Sequence, residues 1–253
     1  MALEAFRLDG KHVIVVGASS GIGRATAVRC AEAGARLSLA ARREDRLADL
    51  VGELKGGEHG YRPLDVCDVS QIGTAFDEFV QARGPIDGMV YAPGTNVLRP
   101  LNAIRLDEWE HAQAVNLRGA VFCCQAATTN TRAFRGGMSI VLLGSAGACK
   151  PAGSGMTGYC ASKAALEGAV RAMAIEGARR RIRFNAVAPG AVRTELWDGP
   201  ERTEEHIRKV CERHPLGPGE LDDVAYACVY LLSPAARWIT GTVLPLDGGF
   251  LLS

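Results

Sequence analysis

The stretch Val13–Gly23 reads Val-Ile-Val-Val-Gly-Ala-Ser-Ser-Gly-Ile-Gly, and it joins a short β-branched run to a segment with helical spacing. Glycines at such a junction let the chain reverse and let main-chain amides at a helix N-terminus approach a phosphate. The spacing is GxxxGxG, and a plain structural turn is the alternative because glycines also serve ordinary turns. Its place in the first strand–turn–helix unit favours a nucleotide-binding site.

The alternation of strand and helix continues along the chain. Strands are predicted at His12–Val16, Arg36–Ala41, Tyr61–Leu64, Gly88–Tyr91, Ser139–Leu143, Ile182–Ala188 and Thr242–Leu246. Helices are predicted at Gly21–Gly34, Arg43–Leu54, from an N-cap at Ser70 to about Arg83, after a cap at Asp107, and at Leu117–Ala127, Thr157–Ala178, Thr203–Arg213 and Leu221–Leu232. Such alternation implies βαβ crossovers and a parallel sheet. We expect one α/β domain over residues 1–253, a Rossmann-type doubly wound sheet of about seven mostly parallel strands with helices on both faces.

Composition excludes several classes of partner. The chain has 29 basic and 28 acidic residues and a net charge of +1, which gives no electrostatic footprint for nucleic acid or an anionic membrane. No stretch reaches the ~20 apolar residues of a membrane helix, and the N-terminus lacks a signal-peptide pattern. The 8 cysteines show no paired CxxC spacing, and the five histidines show no HxxxH or HxH spacing. We therefore expect a cytoplasmic protein with reduced cysteines and no metal site.

The region between Pro189 and Gly219 is the least regular part of the chain, rich in proline, glycine and charge, and within it lies the segment from Ala191 to Leu216, with Leu196 and Trp197. Long irregular segments in compact domains often cover functional sites. We interpret it as a candidate substrate lid, and a surface loop with one anchoring tryptophan is the alternative.

The residues after the second strand bear on the choice of nucleotide. Ala41 is followed by Arg42 and Arg43, where an acid would hydrogen-bond the adenosine ribose and repel a 2′-phosphate. Two guanidinium groups without a carboxylate favour a phosphate, hence NADP(H) over NAD(H). The alternative is that both arginines only solvate a helix start.

Tyr159 and Lys163 share one face at the start of a long helix, because residues four apart lie side by side. A nearby cation lowers the pKa of a phenol, so the pair can act as acid or base at physiological pH. Spacing alone equally fits a surface pair. Ser145 follows the fifth strand, at the sheet edge where ligands bind, and Asn116 heads an apolar helix, which favours a catalytic site.

The chain resembles the short-chain dehydrogenase/reductase family over nearly its full length. The matching motifs occur in the family's order: Gly17-Ala-Ser-Ser-Gly21-Ile-Gly23, Asp65-Val66, Asn116, Gly144-Ser145, Tyr159-Cys-Ala-Ser-Lys163, Asn185-Ala-Val-Ala-Pro189-Gly190 and Thr194. The resemblance implies that Asn116, Ser145, Tyr159 and Lys163 form a catalytic tetrad. It implies a hydride transfer in which Tyr159 donates a proton, Ser145 stabilises the alkoxide, Lys163 holds the nicotinamide ribose and Asn116 helps relay protons through water.

The resemblance also implies a set of coenzyme contacts. Asp65 and Val66 are implied to hold the adenine, and Pro189–Thr194 to line the nicotinamide. The candidate coenzyme-binding residues are Gly17, Ser19, Ser20, Gly21, Ile22, Gly23, Arg42, Arg43, Asp65, Val66, Ala92, Gly94, Tyr159, Lys163, Pro189, Gly190, Val192 and Thr194. Two stretches depart from the family's pattern. The usual Asn-Asn-Ala-Gly reads Tyr91-Ala-Pro93-Gly94, and the loop from Ser145 to Tyr159 looks about one residue longer than is common.

We expect reduction of a ketone or of a 3-oxoacyl group, as in the 3-oxoacyl-[acyl-carrier-protein] reductases that the chain resembles, with a substrate that is free or carrier-bound. The basic run Arg179–Arg183, with Arg132 and Arg135, is a candidate dock for an acidic carrier, and a solvated helix end is the alternative. An NAD-dependent alcohol dehydrogenase and a catalytically silent dinucleotide sensor are the rival functions. The family implies a homo-oligomer, a tetramer or dimer.

Overall fold

The computed structural model describes residues 3–129, 137–194 and 203–253. Seven strands lie in one sheet in the order β3-β2-β1-β4-β5-β6-β7, and every neighbouring pair is parallel. The strands are β1 His12–Val16, β2 Arg36–Ala41, β3 Gly60–Pro63, β4 Gly88–Tyr91, β5 Met138–Leu143, β6 Ile182–Pro189 and β7 Val243–Leu246. The strand order reverses between β1 and β4, so the carboxyl ends of these two strands border the crevice where open α/β sheets bind ligands.

Helices cover both faces of the sheet. They are α1 Gly21–Glu32, α2 Glu44–Glu53, α3 Val69–Arg83, α4 Leu106–Gln113, α5 Gly119–Thr129, α6 Thr157–Gly177, α7 Glu204–Glu212 and α8 Leu221–Leu232. The predicted Rossmann-type architecture is therefore confirmed.

Two hydrophobic cores lie on opposite faces of the sheet. Alternate residues of β1 divide between them: Ile14 packs into the core under α3, α5 and α6, and Val13 into the core under α1, α2 and α8. Both faces of the strand are buried, which is why β1 reads as a continuous apolar run rather than an alternation.

The predicted caps of two helices were wrong. Asp68, not Ser70, caps α3, and its carboxylate accepts a hydrogen bond from the Ser70 amide. Helix α4 is preceded by Arg105, while Asp107 lies in its first turn and pairs with Arg105. In both cases the acidic side chain sits at a helix N-terminus, where negative charge is favourable, but the helix begins earlier than the pattern indicated.

Two arginines of the basic run bind helix ends. Arg180 donates a hydrogen bond to the Thr128 carbonyl near the end of α5, and Arg183 donates to the carbonyl of Leu231 at the end of α8. Cations suit these positions because helix C-termini carry partial negative charge. This supports the helix-end interpretation for those two residues. Arg132 and Arg135 lie outside the described residues, as do Leu196 and Trp197.

Other general features concern the described residues only. The seven described cysteines are free: Cys30, Cys67, Cys123, Cys124, Cys149, Cys160 and Cys228. Within the same ranges, no helix is long and apolar enough to span a bilayer, and no group of three His, Cys, Asp or Glu residues is placed to hold a metal ion.

Candidate active site

A cavity of about 440 Å³ opens at the carboxyl ends of β1, β2 and β4, and we call it the glycine-turn cavity. Thirteen of the predicted coenzyme residues line it: Gly17, Ser19, Ser20, Gly21, Ile22, Gly23, Arg42, Arg43, Asp65, Val66, Ala92, Gly94 and Thr194. Lining residues that the sequence did not indicate are Val16, Ala41, Leu64, Pro93, Thr95, His111 and Val115.

The glycine turn is shaped by close main-chain contacts. Gly17 and Gly21 have φ of +83° and +54°, a region that favours glycine. A Cβ on Gly23 would lie 2.2 Å from the Gly17 carbonyl oxygen, and one on Gly17 would lie 2.7 Å from the Pro93 nitrogen. Helix α1 follows directly, and its N-cap residue Ser20 gives it no side-chain cap. The first amides of α1 therefore suit an anion such as a pyrophosphate.

Arg43 closes the β2 side of the glycine-turn cavity. Its Nη2 donates hydrogen bonds to the hydroxyl oxygens of Ser20 (2.6 Å) and Ser19 (3.0 Å). A guanidinium and two hydroxyls thus converge at the end of β2, and Arg42 lines the same cavity. This donor set matches a phosphate better than a ribose diol, which would require a carboxylate.

A second cavity, of about 180 Å³, lies beside Ser145 and Tyr159, and we call it the tyrosine cavity. Pro189 and Gly190, predicted as coenzyme residues, line this cavity. Its other walls come from separate parts of the chain: Asn96 and Leu98 after β4, six residues between 146 and 156, Ala191 next to Gly190, Val210 and His214, and Phe250. No charged side chain is among the described lining residues.

Ser145 and Tyr159 meet around Gly147. A Cβ on Gly147 would lie 3.1 Å from the Ser145 Oγ and 3.5 Å from the Tyr159 ring. The Ser145 Oγ accepts a hydrogen bond from the Gly147 amide (3.0 Å), which orients the hydroxyl and leaves its own hydrogen for donation. Two hydroxyl groups therefore face one small cavity.

Asn116 lies in a π-helical turn, Ala114–Arg118, between α4 and α5. The Tyr91 hydroxyl donates to the Val115 carbonyl of this turn (2.6 Å). A Cβ on Gly119 would lie 2.6 Å from the same Tyr91 hydroxyl, so α5 can approach β4 only with glycine there. Single π-helical turns are frequent at functional sites. Tyr91, in the motif that departs from the family's pattern, thus supports the turn that carries Asn116.

The Asn116 side chain ties three segments together. Its Oδ1 accepts from the Thr95 amide, while its Nδ2 donates to the Thr95 carbonyl and to the Ser162 hydroxyl (2.9 Å). The Ser162 hydroxyl in turn donates to the Tyr159 carbonyl (2.7 Å). The turn after β4 and the first turn of α6 are therefore fixed relative to each other through Asn116.

Lys163 is buried at the end of β5, where its Nζ donates to the Leu143 carbonyl (2.6 Å). A Cβ on Gly94 would lie 3.8 Å from both the Lys163 Nζ and the Asn116 Oδ1, so both side chains sit behind the wall of the glycine-turn cavity. Burial lowers the pKa of Lys163 to about 8, and the nearby Glu167 carboxylate opposes this shift. The remaining predicted coenzyme residue, Val192, is buried and bridges to Gly219.

Comparison with known proteins gives the family. A sequence model described as Enoyl-(Acyl carrier protein) reductase matches residues 17–251. The chain is 38% identical to human (Homo sapiens) 3-oxoacyl-[acyl-carrier-protein] reductase over 96% of this chain and 98% of that protein. The chain belongs to the short-chain dehydrogenase/reductase family. Like its short-chain dehydrogenase/reductase relatives, it is an oxidoreductase of alcohol and carbonyl groups.

Solved short-chain dehydrogenase/reductase structures share the whole fold. A gluconate 5-dehydrogenase from Burkholderia cenocepacia, in complex with NADP and tartrate, superposes with a TM-score of 0.93 at 32% identity and covers 100% of both chains. A 7α-hydroxysteroid dehydrogenase complexed with NADH and 7-oxo glycochenodeoxycholic acid gives a TM-score of 0.91 at 30% identity, covering 97% of this chain and 96% of that one. Within this family, substrates and coenzymes vary on one architecture.

Proposed function

We propose that this chain is an NADP(H)-dependent reductase that converts a ketone or 3-oxoacyl carbonyl to a secondary alcohol. The observation that carries the proposal is that Tyr159 and Lys163, one helical turn apart on α6, lie at two different cavities. Tyr159 lines the tyrosine cavity, while Lys163 lies behind Gly94 at the glycine-turn cavity. In this proposal one helix face connects a dinucleotide site to the small cavity that Ser145 and Tyr159 line.

In this mechanism the bound dinucleotide supplies the hydride. Tyr159 donates its proton to the carbonyl oxygen of the substrate in the tyrosine cavity. Ser145, oriented by the Gly147 amide, donates a hydrogen bond to the same oxygen as negative charge develops on it. After the transfer Tyr159 is a phenolate, which the positive charge of Lys163 stabilises. The Lys163 ammonium also holds the nicotinamide ribose. Asn116 fixes α6 through its hydrogen bond to Ser162. In this proposal Asn116 also helps to relay a proton through water back to Tyr159.

The coenzyme is NADP(H) rather than NAD(H) in this proposal, because Arg43 and two serine hydroxyls converge at the end of β2. Fluorescence titration with NADPH and NADH measures this directly. Arg43→Gln should weaken NADPH binding by about tenfold or more, as expected for a charge-assisted phosphate contact, and leave NADH binding nearly unchanged. Lys55→Gln, which removes an exposed positive charge just after α2, is the matched control. Equal losses for both coenzymes would contradict the NADP(H) assignment.

The tyrosine cavity favours an uncharged, compact substrate, since its described lining holds no charged side chain to pair with a carboxylate or phosphate. A 3-oxoacyl group attached to a carrier protein belongs to the same substrate class, because it presents the same kind of ketone carbonyl. If an acidic carrier docks on the remaining basic residues near Arg179, the rate should fall steeply with salt. A flat salt dependence contradicts docking.

The deciding experiment is Tyr159→Phe with a panel of ketones and both coenzymes. Turnover should fall by about 10²-fold or more because a general acid is lost, while NADPH binding persists. Tyr226→Phe, on the exposed side of α8, removes the same hydroxyl elsewhere and should keep full activity. Near-normal rates for Tyr159→Phe would refute the mechanism. A wild-type chain that binds coenzyme but turns over no ketone or alcohol would favour the sensor, and faster alcohol oxidation with NAD would favour the dehydrogenase.

We place this enzyme in the cytoplasm, in line with its free cysteines, as a homo-oligomer, a tetramer or dimer. Large exposed side chains, including Trp238 (90% exposed) and Ile175 (79%), are the surfaces that an assembly would cover. The proposed lid over the substrate is the segment from Ala191 to Leu216, and Ala191, Val210 and His214 of this segment line the tyrosine cavity. Sedimentation velocity tests the assembly, and a monomer at micromolar concentration contradicts it.

A further inference from the structure

Phe250 lines the tyrosine cavity although it lies far along the chain from Ser145 and Tyr159. It begins a short 3₁₀ turn, Phe250–Leu252, just after β7. Its side chain is only 2% exposed, whereas Leu252, two residues later, is 93% exposed. A phenyl ring is thus the contribution of this segment to the cavity.

Three side chains surround the Phe250 ring. The His214 ring stacks on it with centroids 4.9 Å apart and planes 14° apart. The Arg213 guanidinium lies 4.9 Å and the Lys150 ammonium 5.1 Å from the ring centroid. Cations at these distances are attracted to the aromatic ring, so the ring is held electrostatically as well as by packing.

Hydrogen bonds fix the same three segments. The Lys150 Nζ donates to the carbonyl oxygens of Phe250 (3.0 Å) and Ser253. Arg213 donates to the Ala152 carbonyl, so the end of α7 is bound to the loop that carries Lys150. We call Lys150, Arg213 and Phe250 the ring clamp.

His214 connects the ring clamp to the loop after β6. The Ala191 amide donates to its Nε2 (2.9 Å), and its Nδ1 lies 2.8 Å from the Val210 carbonyl oxygen, so Nε2 accepts one hydrogen bond and Nδ1 donates the other. Both ring nitrogens are engaged, so His214 packs against Phe250 rather than serving as a proton donor to substrate. The wall that contains Phe250 is therefore a fixed surface.

We propose that Phe250 is a specificity-determining residue that limits the size of the substituent on the substrate carbonyl, and that Lys150 and Arg213 are positioning residues that hold its ring. This rests on the proposed function, since it takes the tyrosine cavity as the substrate site. Phe250 lines a cavity of only about 180 Å³, so a smaller side chain at position 250 leaves more room for the substituent on the carbonyl carbon, and a bulky aryl ketone gains more from that room than a small aliphatic ketone.

The test compares kcat/KM for a small aliphatic ketone and for an aryl ketone. In Phe250→Leu, which keeps an apolar side chain and guards against misfolding, the aryl-to-aliphatic ratio should rise by about tenfold, and Phe250→Ala should raise it further. Leu252→Ala, in the same turn but exposed, should leave the ratio at the wild-type value. NADPH affinity should not change in any of these variants.

Lys150→Met tests whether Lys150 positions the Phe250 ring or only stabilises the fold, because the substrate ratio and the melting temperature are measured on the same variant. A looser ring should raise the aryl-to-aliphatic ratio in the same direction as Phe250→Leu, mainly through KM for the aryl ketone. A lower melting temperature with an unchanged ratio would reduce Lys150 to a structural role and overturn its assignment.

The outcomes distinguish this inference from the proposed function. If Tyr159→Phe abolishes turnover while the folded, NADPH-binding Phe250→Leu and Phe250→Ala proteins keep the wild-type ratio, the reductase stands and the Phe250 assignment is overturned. If Tyr159→Phe retains full turnover, the proposed function fails first.

Discussion

The Lys163 ammonium donates a 2.6 Å hydrogen bond to the carbonyl oxygen of Leu143, the residue that ends β5. Glu167 lies one helical turn further along α6 and is only 5% exposed. A Cβ on Gly144 would lie 3.5 Å from its Oε1, which has no hydrogen-bond partner among the described residues. A buried lysine and a buried carboxylate therefore share the same edge of the sheet.

Glu167→Gln is expected to shift the alkaline limb of the pH profile of kcat/KM. Burial lowers the pKa of Lys163 to about 8, and the Glu167 charge counteracts part of this effect. Removing that charge should lower the pKa further, so the protonated lysine and the activity that depends on it are lost at lower pH. The profile should be measured from about pH 6 to pH 10 beside Glu176→Gln, an exposed glutamate on the same helix. A limb that stays in place or moves to higher pH contradicts this role.

Gly23→Ala and Gly73→Ala are expected to have opposite effects on the stability of the folded chain. A Cβ at position 23 would lie 2.2 Å from the Gly17 carbonyl oxygen, so the turn must deform and both NADPH affinity and melting temperature should fall. Position 73 lies inside α3 with open space around it, and alanine there should add about 0.5–1 kcal/mol to the free energy of unfolding. Thermal unfolding and NADPH titration check both variants. A Gly23→Ala protein with wild-type affinity would show that the close approach is not required.

His12 is expected to make stability fall as the pH drops below about 6.5. Its Nδ1 bonds to the Gly84 carbonyl and its Nε2 to the Ser38 hydroxyl, inside the sheet. Burial lowers the pKa of His12 in the folded chain. Below about pH 6.5 the imidazole therefore binds a proton in the unfolded chain but stays neutral in the folded chain until its lowered pKa is reached. The free energy of unfolding therefore decreases with falling pH until the folded pKa is passed.

Urea unfolding of the coenzyme-free chain between about pH 5 and pH 7.5 measures the His12 effect. His12→Gln should show a shallower dependence on pH than the wild type, while exposed His111→Gln should retain the wild-type slope. Parallel curves for wild type and His12→Gln would rule out the buried imidazole as the source.

The sequence predicts the strands well where both faces are buried. β1, β2 and β4 begin and end where expected, because continuous apolar runs bounded by turns leave little freedom. The helix starts at Val69 and Leu106 were missed, because Asp68 and Ser70 are both common capping residues, and because Asp107, a residue type that often caps helices, lies in the first turn of α4 instead. The π-helical turn at Asn116 was not predicted either, since it is accompanied by the contact between Tyr91 and Val115, residues 24 apart.

The glycine-turn cavity was largely predicted, whereas most of the tyrosine cavity was not. The residues that line the glycine-turn cavity belong to local motifs, so Gly17 and Arg43 can be recognised by their neighbours in sequence. His214 and Phe250 meet only because the end of α7 packs on the turn after β7, and no local pattern encodes that contact. Asn96, from the loop after β4, and Val210, from α7, reach the cavity in the same way.

The reversal of strand order between β1 and β4 has a consequence for how this protein can be altered. All residues around the glycine-turn cavity except Thr194 precede Gly119, and all around the tyrosine cavity except Asn96 and Leu98 follow it. Under the proposed function, the glycine-turn part of the coenzyme site and most of the substrate cavity are thus encoded in successive halves of the gene, while Lys163 and Thr194 complete the coenzyme site from the second half. A single recombination event near position 119 would exchange Arg42 and Arg43 between relatives while most of the tyrosine cavity is inherited unchanged.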